Sequence, residues 1–263
     1  MFNKFIKSKS LNPILPILAM VSYIVIMSAF GLLFKSRIAI GALLGDLVTI
    51  LLFGWLYYKS DLRQPTRPLF KPQTWFYVLA IGFLGLAWMM SQTAAKVLYE
   101  AGFTFNMHSY QDAVKNDASI YILTSVFIAP IAEELVFRAF GYCVWRKYIR
   151  HFVAAIATSI LFAIMHMTFV HIPIAITVGL LSALLFEMTG HIRYGILMHF
   201  LYNLFSAGIA FGLPEKSIWL NPFLTILYMF LLITVLCIMI EKAKAVRKFA
   251  EEPKLIDKLN QKP

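Results

Sequence analysis

Long apolar runs separated by short polar or proline-containing stretches dominate the chain. Their length matches the hydrocarbon thickness of a bilayer, which a helix crosses with about 20 mainly apolar residues, roughly 17 to 25 in practice. Runs of that kind fall at about 13–34, 39–58, 75–95, 119–148, 152–170, 172–189, 192–212 and 218–240. The pattern predicts an all-α integral membrane protein, a bundle of eight transmembrane helices forming one polytopic domain over residues 1–263. Two connections are longer than the rest. Residues 59–74 carry Arg63, Pro65, Arg67, Pro68, Lys71 and Pro72, too many prolines for a continuous helix. Residues 96–118 mix Phe103, Phe105 and Tyr110 with Glu100, Asp112 and Lys115, which suits a segment lying along the interface. From Glu241 the chain turns polar, and 242–263 reads as a cytoplasmic tail.

Composition agrees with this reading. Of 263 residues, 60% are hydrophobic and only 14% charged, with a mean hydropathy of +0.74, outside the range of soluble domains. The 24 lysines and arginines are distributed unevenly. All but Lys35, Arg37, Lys96, Lys115, Lys216 and the intraspan Arg138 fall in the N-terminal tail, the even-to-odd loops and the C-terminal tail. Because basic residues stay on the cytoplasmic side, both termini are expected there, with an even number of spans. Lys4, Lys7 and Lys9 precede an apolar run longer than a signal peptide's, so it reads as a retained first span. A net charge of +11 raises the question of nucleic acid. The basic residues sit at helix ends rather than along a face, so they meet lipid headgroups, and no nucleic-acid partner is expected. Cys143 and Cys237 define neither a disulfide framework nor a thiolate metal site.

The chemistry is concentrated in the fourth, fifth and seventh runs. Glu133 and Glu134 lie inside an apolar stretch, where each acidic group costs about 2.5 to 3.5 kcal/mol near a helix centre unless it faces a polar interior. Arg138 is four residues beyond Glu134, on the same helical face, and is its natural ion partner. Adjacent residues diverge by about 100° on a helix, so Glu133 is left freer to face a reaction centre. Pro130 removes a donor one turn earlier and leaves a carbonyl unpaired, which opens the helix to a kink or a water. The fifth run contributes Phe162 and His166, and the seventh His199 and Asn203, four apart on one face. A carboxylate and imidazoles hold a divalent metal, typically zinc, or activate water directly as a general base. An Asn amide or imidazole N–H aimed at a developing oxyanion completes what peptide hydrolysis needs. Asp46, Glu187, His171 and His191 read as structural or interfacial groups.

Glu-Glu-x-x-x-Arg at Glu133, Glu134 and Arg138, Phe-x-x-x-His at Phe162 and His166, and His-x-x-x-Asn at His199 and Asn203 occur in that order. From Glu133 to His166 and from His166 to His199 the spacing is 33 residues each. This set resembles the CPBP intramembrane proteases, comprising the CAAX-processing endopeptidases of the Ras-converting type and the bacteriocin-processing or Abi proteins. The resemblance covers about residues 119–211, read as the catalytic core. It implies a helical bundle with a cavity open to the cytoplasm, in which Glu133 and His166 activate water while His199 and Asn203 steady the oxyanion. Glu134 and Arg138 would support them, Glu134 also standing as a second catalytic carboxylate, with Phe162 a further supporting residue. Zinc held by Glu133, His166 and His199 is the expected cofactor, with direct water activation by the same groups as the other route. The expected partner is a membrane-associated peptide or protein substrate in a bacterial plasma membrane, with roles in peptide processing, bacteriocin immunity or envelope regulation. The sequence does not set the oligomeric state. A proton-coupled transporter and a non-catalytic immunity or scaffold protein are the rival readings. One feature fits poorly: Glu134, His166 and His199 lie about 12, 16 and 6 residues from the basic edge, roughly 18, 24 and 9 Å deep, although they should be level.

Overall fold

The computed structural model describes residues 13–60, 62, 97, 101–102, 117–166 and 171–212. Six long helices occupy these residues: α1 (Leu15–Leu33), α2 (Ile38–Lys59), α3 (Asp117–Trp145), α4 (His151–Met165), α5 (Ile172–Thr189) and α6 (Ile192–Gly212). There is no strand among the described residues. The runs at 75–95 and 218–240, most of the two long connections and the tail at 242–263 lie outside them. α1, α2 and α3 are long and apolar enough to cross a membrane, while α4 and Ile174–Glu187 of α5 are apolar but shorter.

Local chemistry sets the ends of these helices. Pro16 opens α1, where its missing N–H costs nothing. Gly190 closes α5 in the left-handed conformation, φ 76°, and its N–H reaches the Phe186 carbonyl at 2.7 Å. α4 ends at Met165, short of the predicted 170. His166 caps it, its Nδ1 donating to the otherwise orphaned Phe162 carbonyl at 2.9 Å.

α3 is the axis of the bundle, and each of the other five helices packs against it. Val126, Ala132, Val136, Phe137, Ala139 and Val144 are completely buried, whereas Val25, Leu32, Leu33 and Leu51 of α1 and α2 face outward. That is the arrangement of a bundle whose solvent is lipid, where apolar side chains gain little by hiding and close packing decides the contacts. α1 and α2 approach closely because Gly41, Gly45 and Thr49 recur every fourth residue. A Cβ at Gly41 would lie 2.8 Å from the Phe30 carbonyl oxygen, and one at Gly45 2.8 Å from the Met27 sulfur. Across this contact the Tyr23 hydroxyl donates to Asp46 Oδ1 at 3.2 Å.

α3 is also irregular. π-helical turns at Thr124–Ile128 and Leu135–Tyr142 flank an α-helical stretch, Ala129–Glu134. Pro130 accounts for part of this. The Ala129 N–H skips back to the Thr124 carbonyl, and the next donor in that register, for the Ser125 carbonyl, would be residue 130. Proline has none.

At one end of the bundle Glu187 gathers the Tyr142 hydroxyl at 2.6 Å, the Arg146 guanidinium and His151 Nδ1 at 3.1 Å, joining α3, α4 and α5. Trp145 Nε1 donates to the Pro13 carbonyl at 2.8 Å and ties in α1. Glu187 therefore has the structural role its sequence position implied. At the other end Arg37 pairs with Asp117 through a 2.7 Å Nε contact.

Gly45→Val should drive α2 off α1 and cost about 1–3 kcal/mol, as overpacking of a tight contact does. Thermal unfolding in detergent should register that drop, while Gly31→Ala, which meets nothing within 4 Å, should unfold at or above the wild-type temperature.

Candidate active site

Glu134 is completely buried and Arg138 is 1% exposed, their charges facing at 3.3 Å between Nε and Oε2. Among the described residues the guanidinium makes no aligned hydrogen bond. It is held by the ion pair and by the face of the Phe162 ring, 4.9 Å from the guanidinium carbon. The carboxylate is held better: Ser182 Oγ donates to Oε1 at 3.1 Å, and His199 Nδ1 stands 3.3 Å from the same oxygen. Gly195 makes room for this anion, since a Cβ there would sit 3.0 Å from Oε2. The i,i+4 pairing expected from sequence is thus present, and α5 and α6 contribute to it.

His199 is the hinge of the site. Its Nδ1 faces Glu134, and its Nε2 lies 3.5 Å from Glu133 Oε2. The two adjacent glutamates do diverge, yet both reach one imidazole because its nitrogens lie on opposite edges of the ring. Glu133 is the more accessible carboxylate, 15% exposed against none for Glu134. The buried partner fixes the ring, and the ring presents its other nitrogen to the exposed partner.

Asn203, one turn beyond His199, donates Nδ2 to the Ser125 carbonyl at 2.8 Å. This is the carbonyl that Pro130 leaves without a ladder partner, so a side chain rather than a water satisfies it. The carbonyl can only accept, which orients the amide. One N–H of the Asn203 amide is thereby committed to α3.

His166 joins the group less directly. Its Nδ1–H is spent on Phe162, so in the neutral ring Nε2 carries the lone pair. Its ring lies 4.7 Å from that of Phe162, which in turn is 5.7 Å from His199. No hydrogen bond or ion pair among the described residues joins His166 to either glutamate. By helix rise alone His166 would lie about 22 Å along α4 from His151 and His199 about 10 Å along α6 from Ile192, yet Phe162 meets both rings. Phe162, a turn before His166, fills the step between the two histidines.

The donor set for zinc is incomplete in this arrangement. Glu133 and His199 Nε2 come together, but among the described residues no three His, Cys, Asp or Glu side chains form a group that could hold a metal ion. The chemistry that follows is therefore written with the protein's own groups.

Breaking the buried pair should be costly, because the partner left behind is an uncompensated charge. Glu134→Ala should lower stability by about 3–5 kcal/mol, and adding Arg138→Leu should recover much of it. Asn203→Ala should cost about 1 kcal/mol by stranding the Ser125 carbonyl. Unfolding of the purified variants in one detergent measures all three.

Comparison with known proteins bears on the same residues. Neither a curated protein nor a solved structure matches the chain. Residues 115–205 do match a protein family, described as type II CAAX prenyl endopeptidase Rce1-like. The matched segment contains Glu133, Glu134, Arg138, Phe162, His166, His199 and Asn203, so over residues 115–205 the chain is similar to the Rce1-like peptidases.

Proposed function

We propose that this protein is an intramembrane endopeptidase that hydrolyses a peptide bond in a membrane-associated protein or peptide. The observation that carries the reading is Glu133 facing His199 Nε2 at 3.5 Å, inside the family-matched segment, with the back of the imidazole held by a buried carboxylate. Glu133 takes a proton from the attacking water, and His166, with its free Nε2, accepts the water's second hydrogen bond. As the scissile carbonyl becomes tetrahedral, its oxygen is received by the remaining N–H of Asn203 together with His199, whose Nε2 donates in the imidazolium form because Nδ1–H is committed to Glu134. Glu133 then returns the proton to the departing amine. Glu134, Ser182 and Arg138 hold His199 and stay outside the reacting atoms.

In the full chain this site sits in a bundle of eight spans with both termini in the cytoplasm of a bacterial cell. The charge distribution supports that orientation, and the basic residues Arg146, Lys147, Arg150 and Arg193 mark the cytoplasmic edge. Substrate selection follows from position: a bond must reach a carboxylate enclosed by α1, α2, α3 and α6, which favours chains already tethered to the bilayer. Peptide export, bacteriocin self-immunity and envelope regulation are the settings in which such cleavage serves a bacterium.

The test uses purified protein in liposomes and two quenched fluorogenic peptides of one sequence, one with a farnesylated CAAX tail and one without the lipid. Cleavage of either is expected, and Glu133→Gln and His199→Ala should each lower turnover by about 10²–10⁴-fold with the fold intact. Wild-type rates should survive a strong zinc chelator to within about twofold, as chemistry by residues alone requires. Undiminished cleavage by Glu133→Gln would reject the proposal.

A further inference from the structure

The irregular turn ahead of the two glutamates does something a regular helix would not. In an α-helical register the Ser125 carbonyl accepts from the N–H of residue 129, but the Ala129 N–H goes to Thr124 instead and closes the wide turn at Thr124–Ile128. In the wide register the donor would come from residue 130. Pro130, buried at that position, has no N–H, and its ring crowds the carbonyl four residues back, which favours the wide turn over the α turn. Ser125 is thus denied a backbone donor in either register, and a carbonyl without its helix partner takes one from elsewhere. Asn203 of α6 supplies it, with Nδ2 at 2.8 Å. The approach of α6 at this level does not rest on the amide alone. Phe200, three residues before Asn203, lies against Phe127 of the same wide turn, with ring centroids 5.0 Å apart.

The consequence falls on the orientation of an amide. The two ends of an Asn side chain are nearly alike in size, and the bonds they make decide which way each faces. Turned over, the amide would set its oxygen where the proposed mechanism needs an N–H, and would repel the developing negative charge. A carbonyl accepts and never donates, so Ser125 selects the nitrogen end and holds it. We propose that Pro130 is a positioning residue: by denying Ser125 its ladder bond, it turns that carbonyl into the fixture that orients Asn203 for the oxyanion. Pro130 itself meets no reacting atom and acts wholly through Ser125 and Asn203. In a closed α turn the carbonyl would lie along the helix axis against its own donor, and its hold on α6 would slacken. α3 gives up regularity in its interior, where proline is the worst of residues for a helix, and α6 gains a fixed amide.

This inference rests on the protease reading, and one cycle of variants separates the two. Pro130→Ala restores a backbone donor and removes the ring, so α3 should close into a regular helix and the protein should unfold in detergent at or above the wild-type temperature. On whichever of the two fluorogenic peptides the wild type cleaves, kcat should nevertheless fall about 10- to 100-fold, less than the roughly 10²–10³-fold that outright removal of an oxyanion donor costs. KM should stay within about twofold. Asn203→Ala should lower the unfolding temperature by about 2–4 °C when Pro130 is present, and hardly at all alongside Pro130→Ala, where the carbonyl has its own donor. On kcat the double variant should match Asn203→Ala alone, because Pro130 then has nothing to act through. An undiminished kcat in Pro130→Ala, losses that multiply in the double variant, or a kcat loss that tracks lost folded protein would overturn the positioning role and leave the protease intact. A wild-type protein that cleaves neither peptide would remove the protease reading, and this proposal with it.

Discussion

A carboxylate and a guanidinium buried together in an apolar bundle are the constraint from which the rest of the site follows. Glu134 and Arg138 have almost no exposure, and neither charge is tolerable there alone. Their mutual attraction offsets part of the burial cost but leaves the carboxylate with oxygen lone pairs to satisfy. Ser182 and His199 both meet Oε1, Oε2 is left to the ion pair with Arg138, and Gly195 yields the space. A helix pair that meets this anion therefore delivers an imidazole in one orientation, with its far nitrogen turned to Glu133. The reactive geometry is a by-product of neutralising the buried acid.

A second economy concerns α3. Pro130 leaves the Ser125 carbonyl without its ladder donor, and Asn203 supplies the missing hydrogen. The amide to which the proposed mechanism gives the oxyanion thus also stitches α6 to α3. In the proposed mechanism stability and catalysis are coupled at this residue, and the single-turn spacing of His199 and Asn203 lets one helix face serve both.

Much of this was legible in the chain, for identifiable reasons. Runs of apolar residues at bilayer length located α1, α2, α3, α5 and α6 within a few residues, because length and hydropathy are what a membrane selects. The Glu134–Arg138 pair followed from helical spacing, and the greater exposure of Glu133 from the divergence of neighbours. Other features were not legible. The π turns break the regular period that pattern reading assumes, and Pro130 hinted at a defect without naming Asn203 as its remedy. The early end of α4 depends on a histidine capping its own helix. The Tyr23–Asp46 contact depends on which faces of α1 and α2 meet, and a lone tyrosine in a span reads as belt or filler. The expectation of three converging metal ligands came from residue types. The described geometry brings two of them together and leaves His166 beyond Phe162.

The central claim is that Glu133 and His199 act as one unit on a single water and carbonyl. A double-mutant cycle on kcat/KM with Glu133→Gln, His199→Ala and the combined variant measures that coupling directly. The account predicts that the double variant loses little more than the worse single variant. Losses that multiply independently would contradict it.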